Sequence, residues 1–155
     1  MAALSGNKAY ITACERNKIR AEKLKYNLEK QGASMVNVML EDAGNLSDFF
    51  SFDKILLDAP CSGSGILDLS TNNENFSKKL IDKCVKTQKD LVKKAYNLLN
   101  SGGTLVYSTC SILNYENEEI IDYAEKLGFE LTTDFIKIFP NELFEGFFIA
   151  KLRKK

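Results

Sequence analysis

The sequence predicts an α/β domain built on a mostly parallel sheet with an antiparallel C-terminal strand. Three observations predict it. Short apolar runs alternate with amphipathic stretches along the chain, the pattern of strands joined by crossover helices. The run Ile55–Leu57 contains no alternating polar residue, as a strand covered on both faces requires. The last two runs are separated only by a short connection, too short for a parallel crossover. At 155 residues the chain has room for one domain with a real core, spanning 1–155.

Each element has its own signal. "KAYITACE", Lys8 to Glu15, reads as a strand ending on an acid. Residues 16–32 continue as a helix, with Ala21, Leu24 and Leu28 at helical spacing and Gly32 as the C-cap. Met35–Leu40 is the next strand, closed by Glu41 and Asp42. The strand Ile55–Leu57 stops at "DAPCSGSG", because Pro60 cannot donate to a ladder and restricts Ala59. The serines and glycines of 62–65 then let the backbone turn closely. After a polar stretch, 68–77, a long helix runs to about Asn100 with the stripe Ile81, Cys84, Gln88, Leu91, Ala95 and Leu98, which makes Cys84 a packed core thiol. Gly102 and Gly103 end that helix, and Thr104–Ser111 is a buried strand. A helix over Glu116–Leu127, a strand near Phe129–Thr133, a turn over 140–145 and a last strand, Gly146–Lys154, complete the chain. The order matches the second half and more of a doubly wound nucleotide-binding sheet.

Composition removes several functions. Lys+Arg and Asp+Glu are both 21, so the overall charge does not point to nucleic acid. The basic run "KLRKK", Lys151 to Lys155, reads either as a solvated terminus or as a local binding patch. No apolar stretch approaches the length of a membrane span, and the N-terminus has no secretory pattern, so an intracellular protein without a membrane partner is expected. Histidine is absent, which removes Ser-His-Asp and Cys-His catalysis. Cys14, Cys61, Cys84 and Cys110 are widely spaced without a C-x-x-C pair, against a metal cluster or a disulfide framework.

Chemistry gathers at the strand ends. Glu15, Glu41-Asp42, Asp58 with Cys61, and Thr109-Cys110-Ser111 all fall there, and the carboxyl ends of parallel strands open onto one crevice. An acid at such an end binds ribose hydroxyls or merely opens the next helix, and Glu15 allows either. Cys61 and Cys110 read either as small buried hydrophobes or as a working pair placed beside Ser, Thr and Asp.

"LLDAPCSGSG", together with "GGTLVYSTCSIL" and "ENEE" downstream, resembles the Nol/Nop/Sun family of S-adenosylmethionine-dependent RNA cytosine carbon-5 methyltransferases. The resemblance runs from "ITACERNKIRAEKLKYNL" to "GFFIAKLRK". It implies a Rossmann-like methyltransferase sheet, S-adenosyl-L-methionine as cofactor and ribosomal or transfer RNA as substrate. It further implies that Cys110, of the "TC" motif, adds to carbon-6 of cytosine and so makes carbon-5 nucleophilic toward the sulfonium methyl. Cys61, of the "PC" motif, would assist release of the methylated base. Asp58 would bond near the ring's N3, which needs a protonated carboxyl and hence burial or a neighbouring charge. Glu15 matches the ribose-binding acid and Asp42 the acid near adenine, with Asp58 and Pro60 as further cofactor contacts. The target base must be unstacked or flipped, because carbon-6 is out of reach within a stack. Such a substrate implies an intracellular location, cytoplasmic or nuclear and nucleolar.

The sequence departs from that pattern at its start. The family's first strand and glycine-rich loop are not found, and "MAALSGN" resembles the end of the helix after them, so the sheet is expected to be N-terminally incomplete. Three readings stay open: a chain shortened at its start, a remodelled sheet, or completion by a partner chain. The polar stretch 68–79 also lacks the arginine that family members often carry after "GSG". Two other functions stand beside methyl transfer: a non-catalytic RNA-binding or scaffold remnant of the same fold, and a thiol redox protein using Cys61 and Cys110.

Overall fold

The structure, a computed structural model, describes residues 1–66 and 76–155. Most of the polar stretch 68–79 therefore lies outside the described residues. By its contacts the chain divides into two compact units, Met1–Ser47 and Asp48–Lys155.

The first unit is a β-α-β element. Strands β1 (Ile11–Cys14) and β2 (Val36–Met39) pair in parallel from Ile11 opposite Val36 to Cys14 opposite Met39. Helix α1 (Lys18–Lys30) joins them; the Asn17 side chain accepts from the Arg20 N–H at its start, and Gly32 takes the left-handed conformation just past its end. Ala21 is buried and Leu24 and Leu28 are half-buried, the stripe expected from their spacing. The strand at Lys8–Glu15 is shorter than its apolar pattern implied, because Lys8, Ala9 and Tyr10 are exposed and only Ile11 onward finds a partner.

The second unit carries a five-stranded sheet. Strand β3 (Phe52–Asp58) pairs in parallel with β4 (Leu99–Thr109), β4 pairs antiparallel with β7 (Phe147–Lys154), and the outer side of β7 is met by β5 (Phe129–Leu131) and β6 (Ile136–Ile138), both antiparallel. The mostly parallel methyltransferase sheet with its antiparallel C-terminal strand is thus the architecture, in agreement with the short final connection. Strand β6 has no counterpart in the sequence pattern: three residues, two of them exposed, leave too little periodicity to detect.

Helices α2 (Lys78–Leu98) and α3 (Glu118–Leu127) cover the sheet. Val92 and Ala95 from α2, Ile120, Ile121 and Ala124 from α3, and Leu105, Tyr107, Phe148 and Leu152 from β4 and β7 form one core. Cys84 lies buried on α2, as its place in the stripe required.

Three expectations are corrected. Leu56 is 52% exposed, so β3 is not covered on both faces; within the described pairing it is an edge strand next to β4 alone. Gly102 and Gly103 do not end α2, which passes at Leu98 directly into β4; the two glycines instead accommodate the register shift between Phe52 and Lys54 on the neighbouring strand. The helix expected from Glu116 begins at Glu118, and Glu116 belongs to a preceding 3-10 turn that turns its side chain inward.

Candidate active site

Strands β3 and β4 run parallel and adjacent, so the loops leaving their carboxyl ends must meet. Asp58 stands opposite Ser108, and the Ala59 N–H extends the ladder by donating to the Ser108 carbonyl at 2.9 Å. Pro60 then ends the pairing, and Cys61 emerges beside Cys110, the first residue after β4. Their sulfurs lie 3.0 Å apart, both half-buried and both free thiols, with either able to donate to the other. Burial pushes the Cys61 thiol up to about 12, and the neighbouring Cys110 sulfur adds to the effect.

Backbone contacts leave little room behind the pair. The Gly65 N–H donates to the Cys110 carbonyl at 3.0 Å, and the Gly146 N–H donates to the Gly65 carbonyl at 2.7 Å. A Cβ on Gly65 would meet the Gly146 oxygen at 2.6 Å and the Cys110 oxygen at 2.8 Å, so only glycine fits. The Ser64 and Ser111 hydroxyls meet at 2.8 Å, a further tie between the loops.

Asp58 accepts from the Ser108 hydroxyl at 3.0 Å and is exposed, not buried as a protonated carboxyl would require. Pro60 is exposed, and its carbonyl accepts from Gln88 Nε2 at 2.9 Å.

Glu15 and Asp42 belong to the first unit. Glu15 comes directly after β1 and accepts from the Asn17 N–H at 2.8 Å and from Arg20 Nε at 2.8 Å. The Arg20 guanidinium, then the Asn17 N–H, hold its carboxyl below the usual range. Asp42 accepts from the Gly44 N–H at 2.9 Å and from Arg16 Nη1 at 3.3 Å. Two carboxylates at the ends of neighbouring parallel strands are acceptors suited to sugar hydroxyls and ring amines, although each already holds an arginine.

Sequence reasoning missed Glu116, Asn117 and Gln88, all wholly buried polar residues around the cysteine loops. The Thr109 hydroxyl donates to Asn117 Oδ1 at 2.6 Å, and Asn117 Nδ2 donates to the Ser111 carbonyl at 2.8 Å, which fixes the turn holding Cys110. Gln88 does carry a signal in the sequence: an amide in the apolar stripe of α2 has a reason to be there. "ENEE" belongs to the family resemblance, but the motif alone assigns no task to its residues.

The sequence pattern of the family described as 16S rRNA methyltransferase RsmB/F matches residues 1–153. A ribosomal RNA small subunit methyltransferase F from Aeromonas salmonicida is 35% identical over 99% of this chain and 37% of its own length. The corresponding protein of Vibrio vulnificus is 33% identical over the same shares. The chain thus spans well under half the length of these curated relatives. Among solved structures, NSun6 from Pyrococcus horikoshii with SFG superposes with a TM-score of 0.87 at 32% identity, over 99% of this chain and 43% of that one. A methyltransferase homolog from the same organism gives 0.86 at 30% identity, over 99% and 56%.

Proposed function

Because the chain belongs to the 16S rRNA methyltransferase RsmB/F family, within the Nol/Nop/Sun methyltransferases, we propose that residues 1–155 form part of a catalytic domain that methylates cytosine carbon-5 in ribosomal RNA. One observation carries the reading: two free thiols 3.0 Å apart at the ends of adjacent parallel strands. S-adenosylmethionine, the cofactor of this family, supplies an electrophilic methyl when bound. Glu15 and Asp42 would hold its ribose and adenine, sharing or displacing Arg20 and Arg16.

Cytosine carbon-5 is a poor nucleophile. Cys110, as thiolate, adds through its sulfur to carbon-6, and the electron pair so displaced enriches carbon-5. After methylation the carbon-5 proton leaves, its bonding pair re-forms the double bond between carbon-5 and carbon-6, and the carbon–sulfur pair departs with the Cys110 sulfur as thiolate. Cys61 faces Cys110 directly and, with its thiol pushed up to about 12, is a protonated neighbour at neutral pH rather than a second nucleophile. That state suits a group that assists release. Asp58, held by Ser108, presents a carboxyl at the rim of the pair for the pyrimidine edge.

The Aeromonas and Vibrio relatives are bacterial, which favours the cytoplasm and lends a nucleolus no support. Incubation with S-adenosylmethionine and RNA carrying 5-azacytidine should give a covalent complex that survives denaturing electrophoresis. Cys110→Ala should abolish it, and Cys61→Ala should make the adduct with ordinary RNA accumulate. Trapping that persists in Cys110→Ala would move the nucleophile elsewhere.

A further inference from the structure

The two cysteines share a neighbour: each is succeeded by serine, as Cys61-Ser62 and Cys110-Ser111. Both serines end on one carboxylate. Ser62 donates its N–H to Glu116 Oε1 at 2.8 Å and its hydroxyl to Oε2 at 2.5 Å. Ser111 donates its hydroxyl to the same Oε2 at 2.6 Å. Gln88 Nε2, which holds the Pro60 carbonyl, also lies 3.4 Å from Oε1. The backbone of Glu116 is itself anchored, its carbonyl accepting from the Tyr107 hydroxyl at 2.6 Å.

Glu116 is fully buried, and none of the ion pairs among the described residues includes it. A carboxylate buried without a cation is expensive, and apolar side chains could fill the same space at lower cost. What they cannot do is accept hydrogen bonds from two loops at once. We infer that Glu116 is the positioning residue of the thiol pair: one carboxylate receives both Cys-Ser steps and thereby sets the distance between the sulfurs.

This rests on the proposed two-cysteine site, yet sulfur spacing can be read without methyl transfer. Glutathione disulfide is a suitable probe. The Cys61 and Cys110 thiols lose two protons and two electrons to form one S–S bond, and glutathione disulfide is reduced to two glutathione thiols. Mass spectrometry over a series of glutathione ratios gives the pairing equilibrium. The wild-type chain should form the Cys61–Cys110 bond, and E116Q should weaken pairing by about tenfold or more, the scale of lost hydrogen bonds to a charged group. Ser62→Ala and Ser111→Ala, which keep the carboxylate, should each lower pairing by a smaller factor and serve if E116Q does not fold. Tyr107→Phe removes only a bond to the Glu116 backbone; it should lower stability and leave pairing unchanged.

Wild-type protein that forms only mixed disulfides with glutathione overturns the inference. So does pairing unchanged in E116Q, or in both serine variants, or reduced by Tyr107→Phe as much as by E116Q. Normal pairing without 5-azacytidine trapping would instead sink the methyl-transfer reading and leave the clamp standing.

Discussion

Cys61 is held in its neutral form by burial first and by the adjacent Cys110 sulfur second, so its folded-state pKa lies above the value of 9.0 for a free thiol. The stability this contributes is complete below pH 9.0 and is lost as pH climbs toward about 12, because only the unfolded chain releases the proton freely over that window. Tyr107 is pushed up as well, by burial and then by Glu116, and adds to the same alkaline loss. Urea midpoints measured from neutral pH upward should therefore fall beyond pH 9.0, and Cys61→Ser should flatten that fall. An identical alkaline slope in the variant would show that Cys61 is not held neutral by the fold. At this scale the motifs named Cys61, Cys110 and Asp58 as candidates, and the structure sets the two sulfurs side by side. Glu116 was not, because nothing in a string of residues says which acid points inward.

The basic C-terminal run is part of an element rather than a tail. Leu152 is fully buried in β7, and Lys154 folds back so that its ammonium donates to the carbonyls of Tyr96 and Leu99 at 2.7 and 2.8 Å, where α2 ends. The ring of Tyr96 lies 4.5 Å beneath it. A cation on the free carbonyls of a helix end satisfies them and opposes the helix dipole. Lys154→Ala should cost about 1.5–3 kcal/mol in denaturant unfolding, the range for hydrogen bonds to a charged group. An unchanged midpoint would make this lysine an ordinary solvated charge. The types of the longer elements were readable because periods of two and of 3.6 are local, whereas the three residues of β6 were too few to show one. Element ends were less so: α2 runs into β4 without a glycine stop, since Leu99 is buried and continues as strand.

For the molecule as a whole, the antiparallel strand β7 is the centre of the second unit, with β4 on one side and β5 and β6 on the other. Phe148, fully buried on β7, meets Tyr107 edge-on at 6.4 Å between ring centroids and Phe135 at 5.2 Å. Phe148→Ala should cost about 3–5 kcal/mol by urea unfolding, the usual penalty for an aromatic cavity in a core. A loss comparable to that of a surface residue would mean that the core collapses around the gap. The sequence by itself determined the alternation of strands and helices, the antiparallel end and the two Cys-Ser steps. Periodicity, turn residues and connection length are properties of neighbouring residues, and they suffice for that much. Only the tertiary structure decided that Leu56 faces solvent, that Lys154 caps a helix, and that Glu116 receives Ser62 from 54 residues earlier in the chain. Those outcomes depend on what packs against each group from distant sequence, and burial and hydrogen-bond partners exist only once the chain has closed.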